Sequence, residues 1–375
     1  MITAEAKSKV RFITLGCKVN QYETQGMREI LGRHGIAPAE KETSAQNVNF
    51  VVINTCTVTA DADKENRYWI RRARREHPSA RIVVTGCWVE RNRKDIEAIP
   101  EVDLILSNHE KARVADFLIE GCATETVQAQ AGLSPRQQYT PLAISHTDGG
   151  GRAFVKIQDG CNHACSFCKV VMVRGRSRSR QLQDTIDEVK RLADSGYREI
   201  VFAGIQLGAY GLDFQKNGAL IEMLEACAQI DGIERLRLSS IEPTDVRPEL
   251  IRALRDIPEC CHQLHIPLQS GDNEVLKNMN RRYTREFYRG LCAELKAAMP
   301  DFALTLDVMA GFAGETDEQF ENTVRLLEDI KPLKCHVFPY SRREGTRAAQ
   351  LAELPADVVR ARVQRLMERG CLRAR

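Results

Sequence analysis

Three cysteines within eight residues constrain this chain more than any other feature. Cys161, Cys165 and Cys168 follow the strand-like run 152–157, which places them in a short loop after a strand. A loop with thiolates at i, i+4 and i+7 can bind three irons of a [4Fe–4S] cluster and leave the fourth iron without a protein ligand. Zinc sites usually pair Cys-x2-Cys with a second pair or with histidines, and no second pair follows closely here. The spacing therefore favours an open iron–sulfur cluster over a zinc knuckle or buried free thiols.

Composition and charge set broader bounds on the protein. With 375 residues the chain has room for two or three domains, and its net charge of +3 is too small to indicate a nucleic-acid partner by itself. No apolar run is long enough to span a bilayer, and the N-terminus does not read as a signal peptide. We therefore expect a cytoplasmic protein with no membrane association. In that reducing compartment an odd total of 13 cysteines favours metal binding over disulfides.

The first part of the chain alternates strands and helices, which predicts an α/β domain with a parallel sheet over residues 9–121. The predicted strands are 10–15, 49–53, 81–85 and 102–106, and the predicted helices are 20–34, 61–76 and 110–119. One cysteine comes just after each of the first three strands, namely Cys17, Cys56 and Cys87. Because the carboxyl ends of parallel strands meet at one edge of a sheet, the three thiols could converge on one metal centre. The alternative is three unrelated loop thiols.

Residues 122–150 are rich in Gly, Pro, Gln, Ser and Thr, and we interpret them as a linker. A second alternating region follows, with strands near 152–157, 198–203, 234–239, 262–268, 302–308 and 334–338. Six strand–helix units predict an open (β/α)6 barrel over residues 151–345, with its active face at the carboxyl ends of the strands. Residues 346–375 are predicted to form one amphipathic helix after the barrel.

The cysteine loop of the second region resembles the radical S-adenosylmethionine (SAM) signature. Together with three dispersed N-terminal cysteines, it makes residues 9–350 similar to the radical SAM methylthiotransferases. The runs 14–24 (TLGCKVNQYET) and 54–59 (NTCTVT) look most like the branch that modifies N6-threonylcarbamoyladenosine in tRNA. Some positions depart from the family pattern, such as Ala313 where a proline is usual. Members of the family normally end in a small β-barrel RNA-binding (TRAM) module, and we expect this chain to lack it.

The resemblance implies two [4Fe–4S] clusters and SAM as cofactors. Cys161, Cys165 and Cys168 would bind the cluster that cleaves SAM, with Phe167 against the adenine of SAM. Cys17, Cys56 and Cys87 would bind an auxiliary cluster. One SAM would supply a methyl group to a cluster sulfur, and a second would supply the radical that removes a hydrogen from the adenine ring carbon between the two pyrimidine nitrogens. The implied partners are a tRNA anticodon loop, an electron donor and a sulfur donor.

Other candidate site residues lie near the predicted active face. Polar, Gly-rich segments after the barrel strands could hold SAM and contain Gly204, Ser239, Glu242 and Gln269. Alternating arginines after the cysteine loop suit phosphate contacts, which predicts RNA binding by Arg174, Arg176, Arg178 and Arg180. His163 and His265 are interpreted as structural or as supporting the site from behind. Three alternatives stay open: a methylthiotransferase for a different tRNA adenosine, one for a ribosomal protein, and a non-enzymatic iron–sulfur sensor that binds RNA.

Overall fold

The structure is a computed structural model that describes residues 8–40, 47–119, 139–147 and 151–373. It divides into two compact units. The first unit is Met1–Gly150 together with Met172–Arg176, and the second is Gly151–Val171 together with Ser177–Arg375. Most of the predicted linker, residues 122–138 and 148–150, lies outside the described residues. Among the described residues, no helix is both long and apolar enough to cross a membrane.

The first unit contains a five-stranded parallel sheet in the order β2-β1-β3-β4-β5. Its strands are β1 (Lys9–Thr14), β2 (Ala37–Pro38), β3 (Phe50–Thr55), β4 (Arg81–Gly86) and β5 (Leu104–Ile105). Central strands of a parallel sheet are covered on both faces, so their apolar residues form continuous runs instead of alternating. Val51, Val52 and Ile53 in β3 are accordingly all buried.

Helices cover both faces of this sheet: α1 (Lys18–Arg33), α2 (Ala60–Glu76), α3 (Val89–Glu97) and α4 (Val114–Ile119). One hydrophobic cluster joins Ile53 to α2 and α3, and a second joins Val52 to α1 and α4. The Thr59 hydroxyl caps α2 by accepting a hydrogen bond from the Ala62 N–H at 3.1 Å. The predicted parallel α/β domain is confirmed, whereas β2 and α3 were not predicted.

The second unit starts with β6 (Arg152–Lys156) and a two-stranded antiparallel ribbon of β7 (Gln158–Asp159) and β8 (Arg178–Ser179). Its other strands are β9 (Glu199–Ala203), β10 (Arg235–Leu238), β11 (Gln263–His265), β12 (Ala303–Ala310), β13 (Lys334–Pro339) and β14 (Cys371–Arg373). These strands pair in parallel as β6-β9-β10 and β11-β12-β13-β14. Isolated parallel bridges connect the end of β10 with the β11 region. The result is the expected open parallel barrel.

Helices alternate with the strands of this barrel. They are α6 (Leu182–Asp194), α7 (Ala219–Ala228), α8 (Pro248–Asp256), α9 (Asn273–Asn278), α10 (Arg285–Ala298), α11 (Asp317–Ile330) and α12 (Ala356–Glu368). The short helix α5 (Val170–Arg174) precedes β8, and its residues from Met172 onward belong to the first unit. All six predicted barrel strands are present. Strand β14 was not predicted: it pairs in parallel with β13, so the segment after residue 345 adds both α12 and a further strand to the second unit.

Candidate functional site

In the first unit, three predicted ligands lie at the carboxyl ends of adjacent strands. In the register of the sheet, Thr14 of β1 pairs with Asn54 of β3, and Asn54 pairs with Thr85 of β4. Cys17, Cys56 and Cys87 follow these positions by two or three residues. The sheet therefore brings together three thiols that are far apart in the sequence.

Two glycines allow the cysteine loops to approach each other. Gly16 has a φ of +95°, and a Cβ atom there would lie 2.8 Å from the Cβ of Cys56. Gly86 has a φ of +104°, and a Cβ atom there would lie 2.4 Å from the carbonyl oxygen of Thr55. Both positions require glycine, because a side chain would clash and the left-handed conformation disfavours other residues.

Buried asparagines fix the backbone of the same loops. The side-chain amide of Asn20 donates to the carbonyl oxygens of Leu15 at 2.7 Å and Thr55 at 3.0 Å. The side-chain amide of Asn66 donates to the carbonyl oxygen of Cys56 at 2.6 Å. The loops that carry the thiols are thus held by hydrogen bonds within the protein itself.

Two of the three thiols in the first unit, Cys56 and Cys87, are buried and electrostatically coupled, whereas Cys17 is exposed. Burial, and then the nearby Cys87, raise the pKa of Cys56 to about 12. Burial also raises the pKa of Cys87, while the charges of Arg174 and Lys111 act in the opposite direction. The Nε of Arg174 donates a hydrogen bond to the Sγ of Cys87 at 3.1 Å. The three thiols together fit an iron centre, because a bound cation would favour the thiolate forms of Cys56 and Cys87 that burial alone disfavours.

A buried charge network lies beside Cys87. Glu23 accepts hydrogen bonds from Lys111 Nζ at 2.5 Å and from Arg174 at 2.8 and 3.2 Å. Arg174 also donates to Asn20 Oδ1 at 2.7 Å, and Lys111 donates to Asn54 Oδ1 at 3.0 Å. Burial lowers the pKa of Lys111, with Glu23 acting in the opposite direction, and Arg174 places a positive charge next to the thiol. Such a charge suits a site that gathers negatively charged thiolates.

The RNA-binding prediction for four arginines needs correction. Arg174 and Arg180 are each only 3% exposed, and their guanidinium groups pair with Glu23 and Glu188 inside the protein. Neither guanidinium group can reach a phosphate, because each is buried and already paired with a carboxylate inside the protein. Arg178 is partly buried and lies 3.4 Å from Asp159. Of the four predicted contacts, Arg176 is the exposed one.

In the second unit, Cys161, Cys165 and Cys168 lie in the loop between β7 and α5. Hydrogen bonds hold this loop from several sides. Gln158 Nε2 donates to the carbonyl oxygen of Gly160 at 2.7 Å, and the N–H of Ser166 donates to the carbonyl oxygen of Met279 at 2.9 Å. All three thiols are partly exposed.

Backbone and side-chain donors surround the sulfur atoms of this loop. The N–H of His163 donates to Cys161 Sγ at 3.3 Å, and the N–H of Val170 donates to Cys168 Sγ at 3.4 Å. Burial, together with the neighbouring Cys165, raises the pKa of Cys161 to about 11 and that of Cys168 to about 12. Clustered thiols with N–H donors directed at the sulfurs match the donor chemistry of an iron–sulfur cluster.

Arg281 connects this loop to the barrel. It donates to Cys165 Sγ at 3.3 Å and forms an ion pair with Glu242. The sequence reasoning missed Arg281, Glu23 and Lys111. Each of these residues pairs with a residue that is remote in the sequence. The sequence itself therefore showed only a charged residue next to an apolar or glycine-rich segment, which does not identify a site residue.

The predicted SAM contacts all belong to the second unit. Gly204 and Ser239 directly follow β9 and β10, and Glu242 lies three residues beyond Ser239. Gln269 has a φ of +64°, and its backbone bonds both to Asp307 and to Met309 of β12. Phe167 packs edge-on against Phe312, with 6.4 Å between the ring centroids. These residues lie at or near the carboxyl ends of the strands, where ligands bind in parallel barrels.

Comparison with known proteins places both units in known families. Residues 155–327 match the radical SAM superfamily, and residues 9–107 match the uncharacterized protein family UPF0004. The chain is 38% identical over 360 residues to the threonylcarbamoyladenosine tRNA methylthiotransferase MtaB of Bacillus subtilis, an alignment that covers 96% of this chain and 79% of that protein. It is 35% identical to the tRNA-2-methylthio-N(6)-dimethylallyladenosine synthase of Salinispora arenicola, covering 98% and 74%.

A solved structure supports the fold. The radical SAM methyltransferase TsrM from Kitasatospora setae superposes with a TM-score of 0.66 at 16% identity, covering 91% of this chain and 77% of that one. The superfamily match implies SAM and a [4Fe–4S] cluster as cofactors. The similarity to methylthiotransferases extends over nearly the whole chain. The chain therefore belongs to the radical SAM methylthiotransferase family.

Proposed function

We propose that this protein adds a methylthio group to the adenine ring of N6-threonylcarbamoyladenosine next to the anticodon of tRNA. The observation that carries the proposal is the near full-length similarity to a relative named for that reaction, in a chain that carries three cysteines in strand-end loops of each unit. The reaction would take place in the cytoplasm. It requires an electron donor and a sulfur donor besides the tRNA.

Cys161, Cys165 and Cys168 would hold the SAM-binding cluster in the second unit. When bound, SAM and this cluster supply the radical that can activate an aromatic carbon–hydrogen bond without acid–base chemistry. The task of the chain is to hold the thiols and orient the ligand. Arg281 positions the loop through Cys165 and Glu242, while Phe167, Gly204, Ser239 and Gln269 are the proposed SAM contacts.

Cys17, Cys56 and Cys87 would hold the second [4Fe–4S] cluster in the first unit. Gly16 and Gly86 allow the loops to approach, and Asn20 and Asn66 fix them. Arg174 and Lys111 place positive charge beside Cys87, which would stabilise the thiolate form of this ligand. Two sites of three thiols each fit a reaction that separates SAM cleavage from sulfur delivery.

Binding of the tRNA anticodon loop would use exposed cations and not the buried arginines. Arg176 keeps its proposed role because it is exposed and follows the cluster loop in the sequence. Phosphate contacts of this kind add affinity that falls as salt concentration rises. Arg178 could contribute only by giving up its proximity to Asp159.

The test is mass spectrometry of tRNA nucleosides from cells with and without the gene. We expect the 2-methylthio form of N6-threonylcarbamoyladenosine to disappear with the gene and to return when the gene is restored. A variant with Cys161, Cys165 and Cys168 replaced by alanine should not restore it. If the 2-methylthio form of N6-dimethylallyladenosine disappears instead, the substrate is the one named for the dimethylallyladenosine synthase of Salinispora arenicola. An unchanged nucleoside profile would contradict the proposal.

A further inference from the structure

A continuous chain of polar side chains crosses the open face of the barrel in the second unit. Glu199 of β9 accepts from Arg237 of β10 at 2.9 Å, and Arg237 donates to Gln263 of β11 at 2.9 Å. Gln263 donates in turn to the Thr305 hydroxyl of β12 at 3.1 Å. Polar residues so regularly connected across neighbouring strands indicate a face that receives a polar ligand or solvent.

This row of polar side chains continues to two histidines, His265 and His336, which share the carboxylate of Asp307. Asp307 Oδ2 lies 3.0 Å from His265 Nε2, and Asp307 Oδ1 lies 3.3 Å from His336 Nδ1. His265 Nδ1 lies 3.1 Å from the Thr305 hydroxyl. In the parallel register Asp307 is directly opposite His336. Because an ionised carboxylate only accepts hydrogen bonds, it fixes both rings with an N–H directed at Asp307.

His336 presents one unused nitrogen. Its side chain is 31% exposed, and within the described part of the chain its Nε2 makes no hydrogen bond. The ring is nevertheless oriented, because Nδ1 is held by Asp307. A held ring with a free nitrogen can bind a ligand at little cost in conformational entropy.

This group lies on the barrel face that also contacts the cluster loop. Exposure alternates along β12, with Thr305, Asp307 and Met309 partly exposed and their neighbours buried. Met309 packs with Phe167 of the cysteine loop in one hydrophobic cluster. Asp307 is two residues from Met309, a distance of about 7 Å along a strand. A ligand beside Phe167 could therefore extend to His336.

We propose that His336, held by Asp307 and supported by His265, binds the polar N6 substituent of the substrate adenosine. This proposal rests on the proposed function. A threonylcarbamoyl group carries a hydroxyl, a urea and a carboxylate. Because Nδ1–H is directed at Asp307, His336 Nε2 would accept a hydrogen bond from the hydroxyl of that group, and Asp307 could accept from its urea N–H. An apolar dimethylallyl group would instead leave these polar atoms dehydrated and unpaired.

The test uses the reconstituted holoenzyme and two anticodon stem-loops that differ only in carrying threonylcarbamoyl or dimethylallyl at N6. His336→Phe removes the acceptor, and His336→Gln keeps an amide oxygen that can accept near the position of Nε2. For the threonylcarbamoyl RNA, kcat/KM should fall about 10- to 100-fold in His336→Phe, mainly through KM, and recover in part in His336→Gln. For the dimethylallyl RNA, neither variant should lower kcat/KM.

His262 supplies a matched control. It also pairs with a carboxylate, Asp301, at 2.7 Å, but it precedes β11 and that carboxylate is exposed. His262→Phe should leave both RNAs unaffected, and iron content checks that each variant is folded and loaded.

Equal losses on both RNAs in His336→Phe would overturn the inference, as would an unchanged kcat/KM for the threonylcarbamoyl RNA. Loss of one zinc or manganese ion per chain in His336→Phe would also overturn it, in favour of a metal bound by the two histidines and the carboxylate. A wild-type enzyme that modifies neither RNA would instead contradict the proposed function.

Discussion

Replacing Glu23 tests the buried charge network of the first unit most sharply. Glu23→Gln keeps the size of the side chain and removes its charge. Arg174 and Lys111, both nearly inaccessible to solvent, would then lose the carboxylate that both contact. Arg174→Met is the complementary change, because it removes one cation and leaves the pair of Lys111 and Glu23 intact.

The structure predicts that Glu23→Gln lowers the free energy of unfolding more than Arg174→Met does. Removing one partner of a buried ion pair costs about 3–5 kcal/mol, because the remaining charge stays buried. The loss of stability in Glu23→Gln should reach the upper end of this range, because it leaves two neighbouring buried cations, Lys111 and Arg174, without their shared carboxylate. Arg174→Met should stay near the lower end, since Lys111 still bonds to Glu23 at 2.5 Å. Arg176→Met is the control: it is exposed and should change stability by less than about 0.5 kcal/mol.

Tryptophan fluorescence during urea unfolding is a suitable assay. The chain has two tryptophans, Trp69 and Trp88, and both belong to the first unit. Their emission therefore reports on that unit. Metal-free protein is used, because a bound cluster would add stability by linkage and mask the difference. The unfolding midpoint should fall most for Glu23→Gln, less for Arg174→Met and hardly at all for Arg176→Met.

Two results would refute this reasoning. If Glu23→Gln were as stable as Arg176→Met, the three charges would not form a buried network. If Arg174→Met weakened tRNA binding while leaving stability unchanged, Arg174 would be an exposed RNA contact after all.

Three further predictions follow from local geometry and charge. Gly86→Ala should destabilise the first unit by at least about 2 kcal/mol in the same fluorescence assay, because its Cβ would clash with Thr55 in a left-handed conformation. Arg176→Ala should lower the salt slope of tRNA binding by about one, whereas Arg180→Ala should not change it. Burial raises the pKa of Glu315 from 4.5 to about 6, although its ion pair with Arg362 acts in the opposite direction. Protonated Glu315 therefore stabilises the folded state below pH 4.5, and this stabilisation of about 2 kcal/mol is lost as pH rises through 6. In urea unfolding followed by circular dichroism, Glu315→Gln should reduce the dependence of the free energy of unfolding on pH over this range.

Local sequence pattern predicted most of the strands and helices, although it missed β2, α3 and β14, and it also predicted the two cysteine sites. Cys17, Cys56 and Cys87 each follow a strongly apolar run, and parallel strands place their carboxyl ends at one edge. The convergence of the three thiols could therefore be predicted without contacts. Strand β14 could not, because three residues after a helix carry too little periodicity to indicate a strand.

The arginine-rich segment 174–180 shows why the contacts of other site residues could not be predicted from the sequence. Alternating arginines and small residues read as an exposed loop, yet Arg174 is buried against Glu23, 151 positions earlier in the sequence. Long-range pairing leaves no periodic signal. Similarly, Asp307 lies within a predicted strand but was not predicted as a site residue, because only the strand register shows that His336 lies opposite it. His265 was interpreted as supporting the site from behind, and that interpretation stays a prediction.

Iron content and deoxyadenosine formation in two triple-cysteine variants test the central claim of two separate sites most directly. The anaerobically reconstituted protein should hold about eight irons, and each triple variant about four. Replacing Cys161, Cys165 and Cys168 by alanine should abolish deoxyadenosine formation. Replacing Cys17, Cys56 and Cys87 should retain it but abolish methylthiolation of the RNA. An unchanged iron content in the second variant, or loss of deoxyadenosine formation there, would contradict the division into two sites.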